Sequence, residues 1–97
     1  MSDSLREAVR EVAVTNPEGL HARPVMRFVD IASTFRSEVS VTNVSRGGRD
    51  TVDGKSAMQM MLLEATHGNT LRIEARGEDA PAAVDALVGL VAAGFSE

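Results

Sequence analysis

A histidine set between a glycine turn and a proline is the residue of this chain best placed to do chemistry. His21 stands in the run Gly19-Leu20-His21-Ala22-Arg23-Pro24. Apolar residues follow it at spacings of three and four, and Pro24 suits a first helical turn, where its missing N–H has no helical acceptor to lose. His21 therefore marks a helix start. Such a terminus presents unbonded N–H groups and the positive end of the helix dipole, which together suit phosphate. The same field favours the neutral ring, whose lone pair can attack phosphorus. Arg23 adds a guanidinium fork that matches phosphate oxygens. These residues read as a phosphoryl acceptor (His21) with a phosphate-stabilising arginine (Arg23), forming a transient phosphoramidate. A histidine at a helix start can also serve only as a cap or a solvated surface residue, and the spacing alone leaves both open. Glu18 puts a carboxylate close to His21, where it opposes an incoming phosphate.

A second group lies in Val52-Asp53-Gly54-Lys55-Ser56-Ala57-Met58. Ser56 can cap the helix that follows it, its hydroxyl accepting from an otherwise unbonded N–H. Gly54-Lys55-Ser56 resembles part of a nucleotide-binding P-loop, but that pattern needs a glycine where Arg49 stands, and a buried parallel strand before it. His67 lies in the turn Thr66-His67-Gly68-Asn69; with one other histidine and no cysteine, a metal site is not expected. Met58, Met60 and Met61 suit either core packing or a contact surface.

These groups need elements to hold them. Residues 1–7 are polar and expected to fray, and residues 9–15 form a strand with Val12 and Val14 on one face. Asn16-Pro17-Glu18-Gly19 is a turn. Residues 21–35 carry the stripe Val25, Phe28, Val29, Ala32 and Phe35 of an amphipathic helix. Residues 38–44 form a second strand, Val39 and Val41 inward, Ser40 and Thr42 outward. Residues 45–50 make a hairpin loop around Gly47-Gly48, and residues 51–53 a short third strand. Residues 56–65 form a short helix with Met58, Met61, Leu62 and Ala65 on one face. Residues 70–76 alternate Leu71, Ile73 and Ala75 against Arg72, Glu74 and Arg76, a half-exposed fourth strand. Asp79 caps a last helix with Pro81 in its first turn and Val84, Leu87, Val88, Val91 and Phe95 buried; Gly94 helps to end it. The order β-α-β-β-α-β-α, with one buried sheet face and three one-sided helices, predicts a two-layer α+β sandwich.

Composition bounds the rest. Ninety-seven residues make one domain, with an aliphatic core, since Trp and Tyr are absent and there are three Phe. A net charge of −4 argues against nucleic acid. The absence of cysteine argues against a secreted, disulfide-stapled scaffold. No stretch has signal-peptide character or the length of a membrane span, so a cytoplasmic monomer is expected.

The two motifs resemble the two signatures of HPr, the histidine-containing phosphocarrier of the bacterial phosphoenolpyruvate-dependent sugar phosphotransferase system. Gly19-Leu20-His21-Ala22-Arg23-Pro24 is similar to its active-site signature, and Val52-Asp53-Gly54-Lys55-Ser56-Ala57-Met58 to the signature around its regulatory serine. The resemblance runs from about residue 9 to residue 95. It implies an open-faced sandwich, a four-stranded antiparallel sheet covered by three helices. It implies that His21 accepts a phosphoryl group on its δ nitrogen from phospho-enzyme I and passes it to an EIIA-type domain. It further implies that Arg23 contacts the phosphate, that HPr kinase/phosphorylase can modify Ser56, that Met58 and Met61 help dock partners, and that no cofactor or metal is needed. Glu18, where sugar-branch carriers usually have Asn or Ser, and the longer 45–50 loop keep a nitrogen-branch assignment open. Two other functions stay open: a regulatory binding module acting through Ser56, which His21 and Arg23 argue against, and a ferredoxin-like sensing domain, which leaves both motifs unexplained.

Overall fold

A computed structural model describes residues 6–47 and 50–96. Its strands are β1 (Arg6–Ala13), β2 (Glu38–Asn43), β3 (Thr51–Asp53) and β4 (Thr70–Gly77); its helices are α1 (Ala22–Ala32), α2 (Ala57–Met61) and α3 (Ala80–Ala92). Short 3₁₀ turns occupy Val44–Arg46 and Gly94–Ser96. The element order is the expected one. The sheet order is β1-β4-β2-β3, and every neighbouring pair is antiparallel. β1 and β2 therefore run in the same direction with β4 between them.

Alternation along the strands sorts the sheet into two faces. Val39, Val41, Val52, Leu71, Ile73 and Ala75 are buried beneath the helices. The helices contribute Val25, Phe28 and Ala32 from α1, Met60 from α2, and Val84, Leu87, Val88 and Val91 from α3. Phe95 closes the core after α3. The other face carries Glu7, Glu11, Arg72, Glu74 and Arg76, with Arg72 3.6 Å from Glu11 and Arg76 3.3 Å from Glu7. Gly54 lets the β3–α2 turn lie flat on this core: a Cβ there would come within 2.5 Å of Val39 Cγ1 and 3.3 Å of Phe28 Cε1.

Several boundaries differ from the sequence-based expectations. Arg6 and Glu7 do not fray but pair with Gly77 and Arg76 in β1, because β4 runs long enough to supply their partners. Parts of the fraying and hairpin-loop readings fell on residues 1–5, Gly48 and Arg49, which lie outside the described residues, as does Glu97. α1 stops at Ala32 rather than at Phe35. The Thr34 and Phe35 N–H groups turn back to Ile31 and Ala32 three residues earlier, and Thr34 Oγ1 also donates to Ile31 O at 2.7 Å. A hydroxyl competing for a helix carbonyl favours such a tight ending. Phe35 still packs partly against the core.

Thr42 points to the open face as expected, yet it is buried. β2 lies inside the sheet, so Thr51 and Arg72 flank Thr42 from both sides, and its hydroxyl lies 2.9 Å from that of Thr51. α2 is half its expected length. The Leu62 and Leu63 N–H groups bond to carbonyls three residues back, and Glu64 takes a left-handed φ of 49°. Asp79 occupies the N-cap position of α3 but makes no side-chain cap bond. Its carboxylate instead accepts from the Ser37 hydroxyl and from the N–H groups of Arg36 and Ser37, both at 2.9 Å. It thus ties the α1–β2 turn to the start of α3. These bonds, led by the Ser37 hydroxyl and the Arg36 N–H, lower its pKa to about 2.

Candidate functional site

The loop before α1 is built to present one side chain. Asn16 Nδ2 donates to Gly19 O at 2.7 Å, and Gly19 N–H donates to Asn16 O at 3.1 Å, closing the turn that Pro17 and Glu18 form. Gly19 has φ 68°, and a Cβ on it would lie 2.5 Å from Ala65 O and 2.8 Å from Thr66 Cα. Glycine therefore both adopts the turn and lets it press against residues 65–66. Leu20 is buried, and its N–H donates to Ala65 O at 3.0 Å.

Residues 65–66 are themselves held. Asn69 Oδ1 accepts from Asn43 Nδ2 at 3.0 Å and from Thr66 N–H at 3.1 Å, and Asn43 Nδ2 also reaches Leu63 O at 3.1 Å. The main chain of Val14 exchanges bonds with Asn69 O and Gly68 N–H, both at 2.8 Å. Sequence reasoning did not single out Asn16, Asn43 and Asn69 as supports of this loop; Asn16 and Asn43 are buried and Asn69 is half-buried. The signal at Asn16 and Asn69 is weak, since an asparagine beside a glycine or proline reads first as a turn residue.

His21 is the N-cap of α1, with extended backbone angles of −88° and −172°. Its carbonyl accepts the first helical bond, from Val25 N–H at 3.1 Å, while its ring makes no capping bond. The cap role left open by the sequence thus belongs to its main chain alone. By helix geometry the N–H groups of Ala22 and Arg23 have no intrahelical acceptor, and Pro24 has no N–H to satisfy. The imidazole is 38% exposed, with Nε2 3.5 Å from Glu18 Oε1. Glu18, His21, Ala22, Arg23 and Met26 line one shallow depression. An open dish with a basic side chain, two N–H donors and a ring nitrogen suits a phosphoryl group held between two proteins better than an enclosed small molecule.

The structure places the second motif on the neighbouring helix, since α1 packs against α2. Ser56 is the N-cap of α2 and its hydroxyl accepts from Gln59 N–H at 3.2 Å. The Gln59 side chain reaches back to accept from Asp53 N–H at 2.9 Å, in the manner of a capping box. Lys55 Nζ donates to Phe35 O at 2.8 Å, holding this turn against the end of α1. Met58 is 81% exposed and Met61 46%, whereas Met60 is fully buried. The expected common face of Met58, Met61, Leu62 and Ala65 does not form: Ala65 is buried, and Leu62, 71% exposed, joins the two outward methionines. Met26 on α1, 51% exposed, adds a fourth apolar side chain that the sequence reading missed. Its signal was its place one residue off the Val25–Phe28–Ala32 stripe. His67 is exposed in its turn, and no group of three or more potential metal-ligating side chains occurs among the described residues.

A family profile described as the PTS HPr component phosphorylation site matches residues 8–93. The chain is 41% identical over 88 residues to the phosphocarrier protein HPr of Cupriavidus necator, covering 91% of this chain and 94% of that protein. It is 39% identical over 88 residues to the phosphocarrier protein NPr of Proteus mirabilis, with the same coverage. It is also 40% identical over 87 residues to the multiphosphoryl transfer protein of Salmonella typhimurium; there the match covers 90% of this chain and spans 23% of the longer protein. Among solved structures, HPr-C-His from Thermoanaerobacter tengcongensis superposes with a TM-score of 0.84 at 36% identity, covering 93% of this chain and 97% of that one. HPr from Bacillus anthracis superposes with a TM-score of 0.79 at 33% identity, covering 88% and 96%.

Proposed function

The chain belongs to the HPr family of phosphocarrier proteins of the phosphotransferase system, and on that premise we propose that His21 carries the phosphoryl group. The observation that bears most weight is the half-exposed His21 ring at the N-cap of α1, beside Arg23, making no capping bond. In this reading the δ nitrogen attacks phosphorus of a donor phosphohistidine. The new N–P bond forms as the donor's N–P bond breaks, and the donor ring keeps the electron pair. Phosphorylation ordinarily adds about −1.5 to −2 charges, which the Ala22 and Arg23 amides, the helix terminus and the Arg23 guanidinium oppose. Because these are dipoles and one mobile fork rather than a closed cage, the group stays accessible to the next acceptor.

The donor is enzyme I and the acceptor an EIIA-type domain, both docking on the apolar side chains around the dish: Met26, Met58, Met61 and Leu62. Flexible methionines suit a surface that must fit two partners in turn. Neither nucleic acid nor membrane insertion is part of this function. No helix among the described residues is long and apolar enough to cross a membrane. The relay partners proposed here put the site of action in the cytoplasm. Ser56 is the regulatory site for HPr kinase/phosphorylase: a phosphate there puts negative charge next to Met58 and weakens docking.

Purified protein incubated with enzyme I, magnesium and phosphoenolpyruvate, and read by intact mass, tests the central assignment. One acid-labile phosphate on the wild type and none on His21→Ala is the expected result. No phosphate on the wild type, or an equal load on both, removes His21 from this role.

A further inference from the structure

We infer that Glu18 is a positioning residue for the outgoing transfer: it holds the proton on Nε2 of phosphorylated His21, so that the ring leaves phosphorus as neutral imidazole. The inference rests on His21 as the carrier and adds a partner to it. The pairing is with Nε2, at 3.5 Å, one ring carbon removed from Nδ1. Glu18 thus addresses the nitrogen that does not bond phosphorus.

The chemistry makes that proton matter. When an acceptor nitrogen attacks a phosphoryl group on Nδ1, the N–P bond breaks and its electron pair stays on Nδ1. With a proton on Nε2 the departing ring is neutral imidazole. Without it the departing ring is an imidazolide anion, a far poorer leaving group. Phosphorylated and protonated, the ring carries positive charge, which a carboxylate at this range stabilises. The same carboxylate repels the phosphate, but its contact in the structure is with Nε2 rather than Nδ1.

Glu18 and Arg23 are the charged side chains lining the dish. The loop rests on residues 65–66, flanked by Glu64 and His67; Glu64 is paired with Arg46 at 3.2 Å and His67 lies in an exposed turn. Glu18 is a carboxylate placed against the His21 ring. It is 77% exposed, so its contribution is that of a solvent-screened pair.

The test compares wild type, Glu18→Gln and Glu18→Ala, each phosphorylated with enzyme I, magnesium and phosphoenolpyruvate. Two quantities are followed against pH: the rate at which phosphate is lost from the protein, and the ring ¹⁵N signals of phosphorylated His21. Both variants should lose the protonated ring at lower pH than wild type, by about half a pH unit for a screened pair. Phosphate loss on the alkaline side should then slow about threefold. Glu18→Asp should recover part of the shift, which a merely structural effect would not produce. Superimposable profiles for wild type and Glu18→Gln overturn the inference while leaving His21 as carrier intact. A wild type that takes up no phosphate overturns the carrier assignment, and this inference with it.

Discussion

At the residue scale the proposed function divides labour between groups that would touch the phosphoryl group and groups that aim the ring. In that reading Arg23 belongs to the first kind. Replacing it by Ala should slow phosphorylation of His21 by roughly tenfold, the value of one charge-assisted hydrogen bond of about 1.4 kcal/mol. Arg23→Lys should fall between, because it keeps the charge and loses the fork. Stopped-flow or quench measurements with phospho-enzyme I would read both. Unchanged rates in Arg23→Ala would remove the side chain from the phosphate. The methionines of α2 make an equally sharp contrast within one turn of helix. Met60 is fully buried and Met58 is 81% exposed. Met60→Ala should therefore cost ~2–5 kcal/mol in urea unfolding, while Met58→Ala should stay within about 0.5. Met58→Glu should leave the thermal midpoint in place and raise the KM for enzyme I. A normal KM would take Met58 out of the docking surface.

At the element scale, His21 is positioned by a loop whose backbone is pinned to another loop. Gly19 is where the two touch. Gly19→Ala would impose a Cβ on a left-handed residue, at ~1–2 kcal/mol, and drive it into the Ala65 carbonyl. Main chain on both sides makes relief costly. The variant should lose more than about 2 kcal/mol of stability, with a phosphorylation rate reduced beyond the change in folded fraction. Denaturant titration beside transfer kinetics separates the two. A stable, fully active variant would show that the loop positions nothing. α2 illustrates the same point from the other side. Its sequence supplies a good N-cap and no C-terminal continuation, so five residues are helical and the following ones turn in tight bonds. That shortening turns Leu62 outward beside Met58 and Met61.

At the scale of the whole molecule, one carboxylate joins two layers and sets the acid limit of the fold. Asp79 is held near a pKa of about 2 against its ordinary 3.8, chiefly by the Ser37 hydroxyl and the Arg36 N–H. Its folded value is depressed, so its contribution is fully present above about pH 4 and is lost as pH falls through 2. Asp79→Asn should lower the thermal midpoint at neutral pH and flatten the pH dependence between those limits. A wild-type-like slope there would place the acid sensitivity elsewhere. The sheet edge also bears on assembly. A two-fold axis perpendicular to the sheet would pair β1 with its own copy in registers that set Glu7 against Glu11, or Arg10 against itself. Like charges directly opposed disfavour such pairing, so light scattering should report a monomer.

The sequence alone was enough for the order of elements, the buried faces of β1, β2 and β4, and the helix start at His21. Each of these depends on local periodicity and on the stereochemistry of Gly, Pro and Ser, which act within a few residues. The two motifs were equally legible, because the helix terminus and its phosphate-seeking residues are contiguous in the chain. What sequence could not supply depended on groups far apart along the backbone. Thr42 is buried because strands from two other parts of the chain flank it, and Asp79 leaves its own helix because Arg36 and Ser37 offer three donors at once. The outward turn of Met58, Met61 and Leu62 was decided by which face of a short helix met the core. Local chemistry marked His21 as the candidate for reaction, and tertiary packing chose what surrounds it, because burial and hydrogen-bond competition are settled only when distant segments meet.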